Sequence, residues 1–203
     1  MTDRCLTTKK QDDKAEVLSK YEAYDKIGLW EMIRSDLKRW EKISIAIFKL
    51  GFYAVFLYRI SHYLSLKQFI SLSRSFQFAS HLITGAEISN KAVIGPGLIV
   101  LHPTGVHIGP KIKIGANANI CECSAIVTNV EVGEGEPVIG DYLWAGSGSK
   151  IMGPITLGDH VWVGPNSVVL KDVPSNMTAF GIPARILPKT FRRKFYELSC
   201  SGR

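Results

Sequence analysis

Two histidines five residues apart, His102 and His107, and two cysteines two residues apart, Cys121 and Cys123, are the side chains of this sequence best suited to chemistry. An unperturbed imidazole titrates near about 6.5, so either histidine can take a proton near neutrality. Paired histidines also suggest zinc, but a catalytic zinc site needs three protein ligands. His81 precedes the region and His160 lies far beyond it, so no third histidine is well placed and no metal set is expected. A nucleophilic Cys121 or Cys123 would need a base beside it, and the sequence offers none nearby. Four cysteines without a CxxC pair point to a reduced setting, and a cytoplasmic location is expected.

What must position these groups is a repeat. Apolar residues recur every sixth position in three phased runs: Ile88, Ile94, Val100, Val106; Ile108, Ile114, Ile120, Ile126, Val132; and Ile139, Ala145, Ile151, Leu157, Val163, Val169. Neither a helix nor a plain strand has that period. It is the signature of a parallel β-helix, in which three six-residue edges make a triangular coil and the repeat residue points inward. Glycine follows the repeat residue at Gly95, Gly109, Gly115, Gly140, Gly146, Gly158 and Gly164, where it is expected to ease the corners through unusual dihedrals. The phase slips by two between Val106 and Ile108, which reads as a local bulge. It breaks again between Ile126 and Ile139, where Thr128 to Pro137 holds three glutamates and two glycines and reads as an extruded loop.

The expected class is therefore α+β: a helical region over 1–82, a β-helix over 83–188 and a basic tail over 189–203. Helices are expected from Gln11 to Trp40, with Gly28 between two of them, from Ser44 to Leu66, and from Gln68 to His81. Residues 1–82 carry 14 Lys/Arg against 9 Asp/Glu, and the tail 5 against 1, so the net charge of +7 sits outside the repeat body. No base-reading motif or aromatic platform accompanies it, and no nucleic-acid partner is expected. Lys49, Arg59 and His62 interrupt the apolar stretch from Ile43 to Leu66, so a packed helix is expected there, not a membrane span. No signal peptide is expected. Trp144 and Trp162, eighteen apart and each just before a repeat position, are expected to stack outward. They line an interface between copies or pack under the tail.

Together these residues resemble the serine acetyltransferase family of left-handed β-helix acyltransferases. Arg59-Ile60-Ser61-His62 is similar to that family's Arg-Ile-Ala-His. Leu101-His102-Pro103-Thr104-Gly105-Val106 is similar to its Asp-His-x-x-Gly-Val. Lys171-Asp172-Val173-Pro174 with Gly181-Ile182-Pro183-Ala184-Arg185 is similar to its closing segment. The resemblance implies left-handed coils, acetyl-CoA as co-substrate, a homotrimer with active sites between prisms, and direct O-acetyl transfer to a hydroxyl of L-serine or a sugar. It places the general base at His102 and an orienting carboxylate at Glu87. Outward positions fifteen residues apart, on successive coils, are compatible with that pair. It places the CoA arm along Ser147 and Gly148, with Pro165 and Lys189 further along, and the acceptor near Leu101 and Glu136.

The sequence departs from the family at the acceptor. Leu101 stands where an aspartate precedes the histidine, and Gly135-Glu136-Pro137 stands where Arg-His-Pro ends the loop. An amino-acid carboxylate needs a cation such as a bidentate arginine, and Glu131, Glu134 and Glu136 repel it. A sugar hydroxyl, as in surface-polysaccharide acetylation, is therefore the alternative acceptor. The His102–His107 spacing also resembles γ-class carbonic anhydrases, a more remote alternative, and a non-catalytic scaffold is a third.

Overall fold

In the computed structural model of the chain, residues 19–40, 43–128 and 135–191 are described. The first half of the helix expected from Gln11, the glutamates Glu131 and Glu134, Cys5, Cys200 and most of the tail lie outside them.

The repeat forms three parallel sheets that make the faces of a prism. Strands β1 (Glu87–Ile88), β4 (His107–Ile108), β7 (Ala125–Val127), β10 (Lys150–Met152) and β13 (Val168–Val169) form one face. Strands β2 (Val93–Ile94), β5 (Lys113–Ile114), β8 (Val138–Ile139) and β11 (Thr156–Leu157) form the second. The third runs β3 (Ile99–Val100), β6 (Asn119–Ile120), β9 (Trp144–Ala145), β12 (Trp162–Val163), β14 (Met177–Phe180), and ends with β15 (Arg185–Pro188) antiparallel to β14. That antiparallel strand covers the sheet edge that a last coil would leave open. The repeat residues Ile94, Ile114, Ile120, Ile139 and Ala145 are at most 1% exposed and form a continuous inner column. Burial of β-branched side chains along stacked rungs drives the fold.

The two breaks in phase are structural. Trp144 is in register with Trp162, which is the regular coil of three hexapeptides. Glu87 is instead in register with His107, and Ile99 with Asn119, so the first coil is longer by two positions. The surplus lies in the corner joining β3 to β4, where His102 stands. The second break makes a longer coil still, with Ala125 in register with Lys150, and its surplus lies between β7 and β8.

The glycines after the repeat residues have a different role from the one expected. Positive φ falls two residues later, at Gly97, Asn117, Tyr142 and His160 on one corner, and at Gly148 and Asn166 on another. A Cβ on Gly95 would come within 2.8 Å of the Gly115 carbonyl carbon, and one on Gly146 within 2.8 Å of the Val163 oxygen. These glycines let one coil lie on the next.

In front of the prism stand a helical turn over 19–24, α1 (Leu29–Lys38), α2 (Ile43–Ala46), α3 (Leu50–Leu66) and α4 (Ile70–Thr84). The single helix expected over Ser44–Leu66 is broken, since Lys49 adopts an extended conformation at φ −104°, ψ 122°. The next helix starts against β3, and a Cβ at Gly51 would collide with the Val100 carbonyl. Arg59 fastens this layer. It is 2% exposed and holds Asp36 through Nε at 2.8 Å and Nη2 at 3.0 Å. It also donates to the carbonyls of Ile94 and Gly95, at 2.6 and 2.8 Å. His62 bridges the Asn90 carbonyl and Asp25. No helix among the described residues is long and apolar enough to cross a membrane.

Candidate active site

The corner between the third and first faces gathers most of the residues singled out from the sequence. Leu101 N–H donates to the Ile120 carbonyl and Cys123 N–H to the Thr104 carbonyl, each at 2.9 Å, so the His102 corner lies directly over Cys121-Glu122-Cys123. Gly148 N–H donates to the Glu122 carbonyl and Asn166 N–H to the Ser147 carbonyl, each at 2.8 Å. His102, Glu122, Ser147–Gly148 and Pro165–Asn166 therefore stand on four successive coils along one edge. His102 and Pro165 are exposed and Leu101 is half-buried.

Glu122 went unnoticed in the sequence, where a lone glutamate between two cysteines carries no signal until the corner register is known. Its carboxyl is held below the ordinary range by a hydrogen bond from Ser147 and by its own backbone, against burial, with the His102 imidazole adding to the effect. Cys121 is buried, and burial together with the Glu122 charge pushes its thiol up; a raised thiol is a poor nucleophile at neutral pH.

The pairing expected between Glu87 and His102 is not formed. The Glu87 carboxylate meets His107 Nδ1 at 3.3 Å, and among the described residues no ion pair joins it to His102. The reason is register: Glu87 and His107 are Cα partners on β1 and β4, in one outward row, whereas His102 stands on the corner before that row. Held through Nδ1, the His107 ring directs its other nitrogen away from Glu87. This contact also was invisible without the lengthened coil, because a coil of three hexapeptides would pair Glu87 with Gly105.

Glu136 is on a different edge. It precedes β8 and lies 4.0 Å from Lys111, across the corner between the first and second faces. Lys189 is exposed just beyond β15. Trp162 does not face solvent: it is 3% exposed within the single chain, beside Trp144 in register. No group of three His, Cys, Asp or Glu among the described residues is arranged to hold a metal.

Small residues suit the lower corner to a cofactor arm. Gly146 is buried against the next coil, Ser147 and Gly148 beside it are half-buried, and Gly148 has φ +72°, which an L side chain rarely adopts. A prism of stacked hexapeptide coils with a histidine at a widened corner above such a column defines the class of left-handed β-helix acyltransferases. No protein-family model matches the chain, but individual relatives do. The serine acetyltransferase of Helicobacter pylori strain J99 is 33% identical over 163 residues, 80% of this chain and 95% of that protein. That of Bacillus subtilis strain 168 is 36% identical over 150 residues, 73% of this chain and 69% of that one. The crystal structure of Neisseria gonorrhoeae serine acetyltransferase in complex with serine matches with a TM-score of 0.71 at 29% identity, covering 77% of this chain and 68% of that one. A serine acetyltransferase complex with CoA matches with a TM-score of 0.70 at 31% identity, covering 77% of this chain and 66% of that one. The chain belongs to the serine acetyltransferase family. It is an acetyl-CoA-dependent O-acyltransferase, with acetyl-CoA as co-substrate.

Proposed function

We propose that this chain moves the acetyl group of acetyl-CoA to the hydroxyl of a small acceptor, with L-serine as the first candidate, using His102 as general base. The observation that carries the reading is the stacking of the exposed His102 corner over Glu122 and the Ser147–Gly148 column. The relatives' names supply the acceptor.

His102 takes the hydroxyl proton as the acceptor oxygen attacks the thioester carbonyl. A backbone N–H receives the developing oxyanion. The tetrahedral intermediate expels the CoA thiolate, which takes the proton back from the imidazolium, so no charge is left on the enzyme. Glu122 favours the imidazolium that forms between these steps and is a positioning residue, while Glu87 acts through His107 on the acceptor side. Ser147, Gly148, Pro165 and Lys189 run along the path assigned to the CoA arm, and Leu101 borders the acceptor. The chain works as a homotrimer in the cytoplasm, with Glu136 brought to a neighbouring prism's site.

A sugar hydroxyl is the second reading. It is favoured by Leu101, which offers an ammonium group no partner, and by the acidic Glu136. The test is thiol release from acetyl-CoA with L-serine and a panel of sugars. Release that depends on one of these acceptors supports the reading. Hydrolysis that no hydroxyl compound accelerates defeats it.

A further inference from the structure

Helix α3 crosses the first coil of the prism. Gly51 at its start packs on the Val100 carbonyl, near the corner of His102, and His62 near its end is tied to the Asn90 carbonyl. At about 1.5 Å per residue, the 17 residues of α3 set the turn into α4 about 25 Å from that start. The turn is tight. Gln68 takes the left-handed conformation, φ +64°, and Phe69 N–H donates to the Leu64 carbonyl at 2.9 Å. It holds apolar side chains in the open: Leu66, Ile70 and Leu72 are exposed, and Phe69 is 62% exposed.

The polar groups around this tip are cationic or neutral. Lys67 places Nζ 5.7 Å over the Tyr63 ring, and Gln68 and Ser71 are exposed beside it. Lys91, also exposed, follows Asn90, whose side-chain amide donates to Ser73 Oγ in α4 at 2.7 Å. Residues 43–86 contain no aspartate or glutamate. The carboxylates seen against α3 and α4 are each held: Asp25 by His62, Asp36 by Arg59 and Glu87 by His107. An apolar tip above a collar of lysine, tyrosine and glutamine follows the change in polarity from lipid tails to headgroups. A collar without free acids suits an anionic surface. A second copy set tip to tip would bring Lys67 against Lys67, which like charge disfavours. No helix among the described residues is long and apolar enough to cross a bilayer, so the contact is with one membrane face.

We propose that the α3–α4 turn docks the protein on an anionic phospholipid surface, with Phe69 and Ile70 among the acyl chains and Lys67 and Lys91 at the headgroup phosphates. This goes beyond the O-acetyl-transfer reading and does not depend on it.

The experiment is co-sedimentation of the full chain with vesicles of phosphatidylcholine alone, or of phosphatidylcholine with about one-third phosphatidylglycerol. Wild-type protein is expected to bind the anionic vesicles about tenfold more tightly, and less so as salt is raised. The double variant Phe69→Ser with Ile70→Ser weakens that binding about tenfold. Lys67→Gln with Lys91→Gln removes the preference for anionic lipid. Phe48→Ser, at the other end of α3, leaves binding within twofold, and thiol release from acetyl-CoA by all three variants stays at the wild-type rate. Wild-type protein that ignores anionic vesicles overturns the proposal. So does equal weakening by Phe48→Ser, which would mark general stickiness. A fall in the solution mass of the Phe69→Ser, Ile70→Ser variant without any vesicle binding by the wild type also overturns it, and assigns the tip to contacts between copies.

Discussion

At the scale of single residues, the site is a set of outward side chains whose partners are decided by register. Glu122 illustrates this. It follows His102 by one lengthened coil, and only the widened corner stacks the two. Glu122→Gln removes the negative charge that stands one coil below the proposed base His102. We expect kcat to fall about tenfold with KM for acetyl-CoA unchanged, measured by steady-state thiol release. The cysteines give a second check. Cys123 is exposed while Cys121 is buried, with its thiol pushed up by burial and then by the Glu122 charge. A group whose pKa is raised stays in its neutral thiol form to higher pH. Iodoacetamide at pH 8, mapped by tandem mass spectrometry, is therefore expected to alkylate Cys123 well before Cys121. Faster modification of Cys121 would contradict this burial.

At the scale of elements, the hexapeptide period made the prism legible because each inward slot tolerates only an apolar side chain. The same period marked both breaks as irregular positions. The slip between Val106 and Ile108 is the corner that carries His102, so the irregularity coincides with the candidate site. What the period cannot carry is the coil length. A coil assumed to hold three hexapeptides and nothing more sets Glu87 against Gly105 and hides its row with His107; the Glu87–His102 pair, implied by the family resemblance, is not formed because His102 stands on the corner before that row. The break in the helix before Leu50 was hidden for a similar reason: it comes from Gly51 packing on the Val100 carbonyl, a contact between segments far apart in the chain. Arg59 and Asp36 form the joint between helices and prism. Burial acts to lower the Arg59 pKa, and the adjacent Asp36 carboxylate overrides it, holding the guanidinium above its ordinary value. Asp36 also accepts from Leu98 N–H at 2.8 Å. Asp36→Ala leaves a buried cation and a buried amide without that partner. The expected loss is about 3–5 kcal/mol, read by urea unfolding. A loss under about 1 kcal/mol would show that the joint does not hold the layers together.

At the scale of the molecule, the prism is a column of near-identical rungs, and most residues singled out as candidates gather along one edge. Apolar side chains remain outside that core: Phe48 is 84% exposed, and Leu82 and Ile83 at the end of α4 are 68% and 58% exposed. Apolar side chains left open in this way are available for contact with another copy of the chain. We expect light scattering coupled to size exclusion to give a mass three times 22.5 kDa, or a multiple of it, for the proposed trimer. A monomer at micromolar concentration would remove the neighbouring prism from the account and with it the role given to Glu136.

The most direct measurement compares His102→Ala with His107→Ala in the acetyl-CoA thiol-release assay, with the acceptor saturating. Removal of a general base costs about 10²–10⁴ in rate. The account predicts a loss of that size in kcat for His102→Ala, and for His107→Ala a rise in the acceptor KM with most of kcat kept. Wild-type kcat in His102→Ala, or a collapse of kcat confined to His107→Ala, would contradict it.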